Sequence, residues 1–397
     1  MREIYLDNAA TTFTNHKSVE IMNQVMTVDY GNPSSLHNKG IVAENYIKDA
    51  RKVIAKSLKC DEKEIIFTSG GTESNNLALF GGAYAKIRSG KHIISTAIEH
   101  ASVYNPLIFL EEQGFEVTYL PVDQNGIVIM DALRQALRKD TTLVSVMMVN
   151  NEIGAIEPIA EIAKLVHNFN PNILFHVDAI QGYGKLPVAP SKIGIDLLSV
   201  SGHKIHGPKG SGFLYKRDKV RLLPEILGGG QQNNMRSGTE NVPAIAGLGE
   251  AVNDYFTNRI QYAEQMYSCK LHFLERLSDM PFAHANAIFE EESDTVSLSD
   301  RVRKTAPHIL SISFDSIRSE VLLHALEDYG ICVSSGSACS SNHPAISGTL
   351  KSIGIKDKYL DSTLRFSFCP ETTIEEIDIC CDALSELVPK LSKFTVH

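Results

Sequence analysis

The 397-residue chain lacks the features that would assign it to a membrane, a nucleic acid or an oxidising compartment. No segment approaches the roughly eighteen uninterrupted apolar residues of a spanning helix. The opening MREIYLDNAATT has no charged segment followed by an apolar one, so a chain without a targeting leader is expected. Lys+Arg number 38 against 47 Asp+Glu, a formal charge of −9, and no dense basic run occurs. That balance excludes the electrostatic footprint of nucleic-acid binding and leaves a small substrate as the default. The cysteines are seven, an odd number, with neither a C-x-x-C pair nor zinc-type spacing. They read as the reduced thiols of a cytoplasmic protein, without a disulfide framework or a resident metal. Internal repeats, heptads and low-complexity tracts are absent too, which excludes solenoids and coiled coils.

What is present is an ordinary soluble composition, 43% apolar and 21% charged, on a chain longer than one core usually holds. Two bodies are therefore expected. Between about 40 and 220, the short apolar runs EIIFT, HIIST, EVTYL, LVSVMMV, ILFHV, DLLSV and GFLYK alternate with helical patterns such as 43–58 and 156–166. This alternation predicts an α/β body with a mostly parallel sheet, whose ligands bind beyond the carboxyl ends of the strands. After Gly228-Gly229-Gly230, a long helical pattern at 244–277 leads to an α+β body. That body contains a polar surface loop at 290–305, the strand HILSISF, a helix at 319–329, a Gly/Ser-rich loop at 334–341, the strand LRFSF and a helix at 374–391.

Four constellations carry chemistry. DLLSVSGHK ends a strand in small polar residues and then Lys204, while ILFHVDAIQ puts Asp178 and Gln181 at the end of another. A lone lysine is usually a solvated surface group, but here it shares a sheet edge with an acid poorly placed for core packing. EIIFTSGGTESNN is a strand, a glycine turn and a helix start; its free N–H groups and positive dipole end suit a phosphate, although Thr72 could equally be a plain helix cap. No Walker lysine follows. A Schiff-base lysine, an acid for a pyridine nitrogen and a phosphate cradle together match pyridoxal phosphate. His100, placed at the end of HIISTAIEH, either stacks on the ring or is a structural hydrogen bonder. Finally, SSGSACSS at 334–341 is too small and polar for an element interior and reads as a loop presenting Cys339. The other cysteines read as buried hydrophobes. A thiol needs a nearby base or cation to be nucleophilic at neutral pH, and none adjoins Cys339 in sequence except His343, whose facing is not given by the sequence.

The order of motifs resembles the cysteine desulfurases, class V members of the fold-type I pyridoxal-phosphate enzymes. YLDNAATT (5–12), GNPSSLH (31–37), FTSGGTESNN (67–76), NNEIG (150–154), HVDAIQGYGK (176–185), SGHKIHGPKG (201–210), RSGTENV (236–242), SSGSACSS (334–341) and LRFSF (364–368) follow the family's sequence from end to end. The cysteine loop is similar to that of the branch serving iron–sulfur cluster assembly and tRNA thiolation.

The resemblance implies a large cofactor-binding domain at 16–260 with a mostly parallel seven-stranded sheet. A small domain, 1–15 with 261–397, would carry the cysteine loop. It implies a cytoplasmic homodimer with pyridoxal 5'-phosphate on Lys204, Asp178 at the pyridinium nitrogen, His100 over the ring, and Gln181 and Asn151 near the phenolic oxygen. Gly71, Thr72, Ser201 and His203 would hold the phosphate, with Thr239 reaching it from a second subunit, and Arg365 would grip the carboxylate of L-cysteine beside Asn151. Lys204 would remove the Cα proton and the Cys339 thiolate attack the substrate sulfur. Alanine leaves, and a persulfide remains on Cys339 for a sulfur-acceptor protein such as a cluster scaffold or a tRNA-thiolation enzyme. Transient cluster ligation comes into question only at Cys339. The chain departs from the family pattern at Gln232 and Asn233, where relatives commonly have an acid and a base, so an ion pair across that segment is not expected. Other readings are a selenocysteine lyase, a class V aminotransferase and a silent cofactor-binding scaffold; the presented thiol argues against the aminotransferase.

Overall fold

The computed structural model describes residues 3–288, 296–335 and 347–394. After a two-residue strand β1 (Ile4–Tyr5), the seven apolar runs become seven strands: β2 (Ile65–Thr68), β3 (His92–Thr96), β4 (Glu116–Leu120), β5 (Thr141–Met147), β6 (Leu174–Asp178), β7 (Leu197–Ser201) and β8 (Gly212–Lys216). They form one sheet in the order β2-β8-β7-β6-β5-β3-β4. Only β8 runs antiparallel to its neighbours. β3, β5, β6 and β7 are buried along their whole length, as expected for a sheet covered on both faces. The chain steps outward from β3 to β4, then returns to the other side of β3 and continues through β5, β6 and β7. Their carboxyl ends therefore diverge at β3/β5, the crevice where such sheets bind ligands.

The second body is built on β9 (Ala283–Ala285), β10 (Ile309–Phe314), β11 (Ile331–Cys332), β12 (Ser334–Ser335) and β13 (Thr363–Ser367). β12-β13-β10-β9 make an antiparallel sheet, while β11 pairs in parallel with β1 and so draws the amino terminus into this body. The helix Val242–Leu277, 36 residues and about 54 Å long, joins the two bodies. Its Ile245, Leu248, Val252 and Tyr255 enter the core under the large sheet. Met266, Cys269, Phe273 and Leu277 enter the core that also contains Phe314, Phe366 and Leu384. The three- and four-residue steps keep each set on one helix face.

Two expectations change. The polar stretch 290–305 contains the helix Leu298–Arg303, because the Ser297 side chain accepts the Asp300 N–H and caps it. The Gly/Ser-rich run begins as strand, with Ser334 and Ser335 paired to Arg365 and Leu364. Among the described residues, no helix is long and apolar enough to cross a membrane.

Candidate active site

The carboxyl ends of β5, β6 and β7, the segment of His100 and Ser102 that follows β3, and the first turn of the helix Gly71–Lys86 enclose a cavity of about 260 Å³. A larger and shallower groove of about 880 Å³ along Val53, Lys56, Lys192 and Phe256 contains none of these strand ends. Asp178 is the last residue of β6 and is 3% exposed. Its Oδ1 accepts the Ile180 N–H at 2.9 Å and its Oδ2 the Asn75 amide at 2.8 Å. Burial pushes this carboxyl up, while those two donors, His100 and Lys204 draw it back. It is an acid held ready for a cationic partner.

Asn75 lies one turn inside the helix, so the glycine turn that opens the cavity also sets the acid. The same Asn75 amide donates to Ser102 Oγ at 2.9 Å, and Ser102 Oγ lies 2.8 Å from His100 Nδ1. His100 Nδ1 also accepts the Ser102 N–H at 3.1 Å. A neutral His100 therefore carries its proton on Nε2. Burial, opposed by Asp178 and reinforced by Lys204 and Arg365, holds His100 below the usual histidine range. Under the same rim, Glu99 Oε1 accepts from Thr96 Oγ1 at 2.6 Å and from the Met147 N–H at 3.0 Å, bracing β3 against β5. Burial pushes the Glu99 carboxyl up to about 8.

Lys204 closes the short turn Gly202–Lys204 after β7, and its Nζ donates to the carbonyls of Ala9 at 2.5 Å and Ala10 at 2.7 Å. Ala9 O also accepts from Gln181 Nε2 at 2.9 Å, and Gln181 Oε1 lies 3.1 Å from His308 Nε2. The amino-terminal AATT segment thus forms a wall of the cavity. His203 lies beside the lysine with Nδ1 3.2 Å from Thr11 Oγ1, and burial, then Lys204, pushes it down to about 4. From the small body, Arg365 in β13 reaches across. Its Nη1 donates to the Asn151 carbonyl at 2.8 Å and its Nη2 to Asp7 at 2.9 Å, and its Nε is buried without a partner.

The class V aminotransferase family model matches residues 4–380. A cysteine desulfurase IscS from Dictyoglomus turgidum is 41% identical over 98% of this chain and 95% of that protein. The solved structure of a NifS-like protein is 34% identical, with a TM-score of 0.89 over 98% of this chain and 100% of that one. A structure described as SspA in complex with cysteine is 32% identical, with a TM-score of 0.80 over 93% of this chain and 100% of that chain. The chain belongs to the class V aminotransferase family, in its cysteine desulfurase branch. Its fold is that of the fold-type I pyridoxal-phosphate enzymes, and pyridoxal phosphate is the cofactor of this desulfurase family.

The cavity fits that group. Gly70, at φ 150°, turns the chain so that the helix opens at Gly71, and a Cβ on Gly71 would meet Ile180 Cδ1 at 2.2 Å. A larger residue here would have to displace the Ile180 side chain. The first-turn N–H groups of Gly71 and Thr72 then face the cavity rim shared with Ser201 and His203, a cradle for an anion. Asp178, buried and raised, lies at the opposite requirement, a cationic ring nitrogen.

Gly71, Thr72, His100, Asn151, Asp178, Gln181, Ser201, His203, Lys204 and Arg365 all line one cavity. Thr239 is exposed and does not line it. Cys339, with the rest of 336–341, lies outside the described residues. His100 is not a strand end. β3 stops at Thr96, and His100 is the N-cap of the helix Ala101–Glu112, a role in which ring Nδ1 accepts a first-turn N–H. Thr72 is not the cap either, since that position is Gly70. Gln232 turns inward, where its Oε1 accepts from the Phe67 N–H and Arg51 at 3.0 Å each, and the ion pair near this segment is instead Arg236 with Glu73 at 2.8 Å. Sequence reasoning missed Asp7, Asn75, Ser102 and His308 as supports. Asp7 and Asn75 lay inside quoted motifs, whereas nothing local marked His308.

Proposed function

We propose that the enzyme is a cytoplasmic homodimeric cysteine desulfurase that converts L-cysteine to L-alanine, with the sulfur taken by Cys339 as a persulfide for an iron–sulfur scaffold or tRNA-thiolation acceptor. The observation that carries this reading is the convergence of Lys204, Asp178, His100, Gln181 and Arg365 on one cavity from the ends of β6 and β7, a helix cap and a second body. Pyridoxal phosphate, when bound, supplies an electron sink next to the substrate Cα. Arg365 exchanges Asp7 for the substrate carboxylate, a ligand suited to its planar fork. Lys204, released from the Ala9 and Ala10 carbonyls, takes the Cα proton. Asp178 would pair with the ring nitrogen of the bound cofactor, with Asn75 fixing the angle of its carboxylate. The Cys339 thiolate attacks the substrate sulfur, forming the S–S bond as the C–S bond breaks; the released pair goes to Cβ, which takes a proton, and a proton returned from Lys204 to Cα completes alanine.

A large unit at 16–260 holding the cofactor and a small one at 1–15 and 261–397 presenting the thiol suit this division of labour. Thr239, exposed and outside the cavity of its own chain, is available to the phosphate of a second copy.

The test is anaerobic turnover of L-cysteine with dithiothreitol, quantifying alanine and sulfide for wild type, Lys204→Ala and Cys339→Ser. Equal yields in wild type and none in either variant are expected. Undiminished turnover in Cys339→Ser would move the assignment to a selenocysteine lyase or aminotransferase, and a cofactor-loaded wild type without alanine would favour the silent scaffold.

A further inference from the structure

Behind the Lys204 turn, outside the cavity, three potential ligands from distant segments meet: His206, Cys369 and Glu371. His206, at φ 59°, is 4% exposed, and its ring is held by the edge of Phe13 at 4.5 Å and the face of Tyr255 at 6.0 Å. Its Nδ1 lies 3.1 Å from the Phe13 carbonyl. A carbonyl only accepts, so the proton sits on Nδ1 and a neutral ring directs its lone pair from Nε2. That Nε2 is buried and has no hydrogen-bond partner among the described residues. Glu371 Oε2 lies 3.6 Å away, beyond hydrogen-bond range, so the acid does not satisfy it. Cys369, just past β13 and 8% exposed, has its thiol 3.5 Å from Thr372 Oγ1 and hydrogen-bonded to Glu371, which already draws the thiol and the carboxylate together.

We propose that His206, Cys369 and Glu371 bind a divalent cation of the zinc type, clipping the segment behind Lys204 to the end of the small sheet. The nitrogen, sulfur and oxygen ligand atoms all lie within 4.8 Å of one another. Ligand distances of about 2.0 Å for nitrogen and 2.3 Å for sulfur put tetrahedral neighbours roughly 3.3–3.8 Å apart, so closure requires a contraction of about 1 Å. Glu371, with its side chain 54% exposed, is the arm able to make it. One imidazole, one thiolate and one carboxylate form a borderline-soft set suited to zinc or ferrous iron, with a fourth position left to water. Binding releases the Cys369 thiol proton to solvent and changes no oxidation state.

The test uses the chelator-treated holoenzyme, titrated anaerobically with Co²⁺ and followed through its ligand-field bands in the red, away from cofactor absorption. The expected result is saturation at one Co²⁺ per subunit, displacement by Zn²⁺, and unchanged bands in Cys339→Ser. Cys369→Ser should lose the thiolate-type bands, and Glu371→Gln, at an exposed side chain that folding tolerates, should weaken affinity about tenfold or more. No bands in wild type, or the same bands and affinity in Cys369→Ser and Glu371→Gln, would overturn the proposal and leave His206, Cys369 and Glu371 as a packing contact without a metal.

Discussion

The carboxyl rim of the large sheet and the edge of the small sheet both supply the cavity, but they hold their side chains differently. On the rim, Asp178, Asn75, Ser102 and His100 form one continuous relay of hydrogen bonds, so the acid and the ring that line the cavity are fixed before anything binds. From the small sheet, the Arg365 side chain is held, among the described residues, by Asp7 and the Asn151 carbonyl, partners 358 and 214 residues away, with its Nε unsatisfied. One region is preorganised for chemistry, whereas the other has a charge waiting to be exchanged. The difference teaches where each kind of damage should appear: rim changes should fall on kcat, and small-sheet changes on KM.

The largest expected effect sharpens the first half of that statement. Lys204→Ala should lower alanine formation about 10³-fold or more and abolish the cofactor–lysine absorbance band, read by steady-state assay and absorption spectroscopy. Asp178→Asn should lower kcat about 10²- to 10³-fold with little change in KM, since it removes charge but keeps shape. Arg365→Lys tests the other half and should raise KM for cysteine about tenfold to a hundredfold, with a smaller effect on kcat, because an ammonium cannot replace a bidentate fork. If Arg365→Lys lowered kcat alone, the division between the regions would fail.

Smaller effects probe the supports. Asn75→Ala should reduce kcat about tenfold and shift the bound-cofactor absorbance, and Asn75→Asp should be worse, because it places a second acid against Asp178. The smallest concern stability, and the two regions should differ in sign. Glu99 under the rim is raised from 4.5 to about 8, so the folded state holds an extra proton between those values and stability falls as pH rises through them. Lys270 in the small body donates to Thr305 Oγ1 at 2.6 Å and is lowered by burial from 10.5 to about 7. There the folded state holds fewer protons, and stability rises with pH across the window. Glu99→Gln and Lys270→Met should each flatten its own slope, by at most about 1.4 kcal/mol per pH unit, in denaturant titrations at stepped pH.

What could be read in advance follows the distance over which each signal acts. All seven apolar runs became strands of one sheet, and the helix pattern at 374–391 matches Ile374–Leu391, because period and burial are local properties. Lys204 and Asp178 were legible because function at a strand end leaves a polar residue where packing would not. His100 was legible as a site residue but not as a helix cap, since AIEH carries no strand-stopping signal distinct from its cap. His308 orienting Gln181, and Asp7 holding Arg365, are contacts across 127 and 358 residues, and no spacing rule reaches that far. The meeting of His206 with Cys369 and Glu371 is of the same kind: cysteine spacing detects metal sites only when the ligands are neighbours in sequence.

The most direct test of the central claim is a single turnover of L-cysteine without reductant, measuring alanine per subunit and mapping persulfide by mass spectrometry. The account predicts one alanine per active subunit and a persulfide at Cys339 in wild type, with both absent from Cys339→Ser. Alanine released repeatedly without a persulfide, or a persulfide carried by a different cysteine, would contradict it.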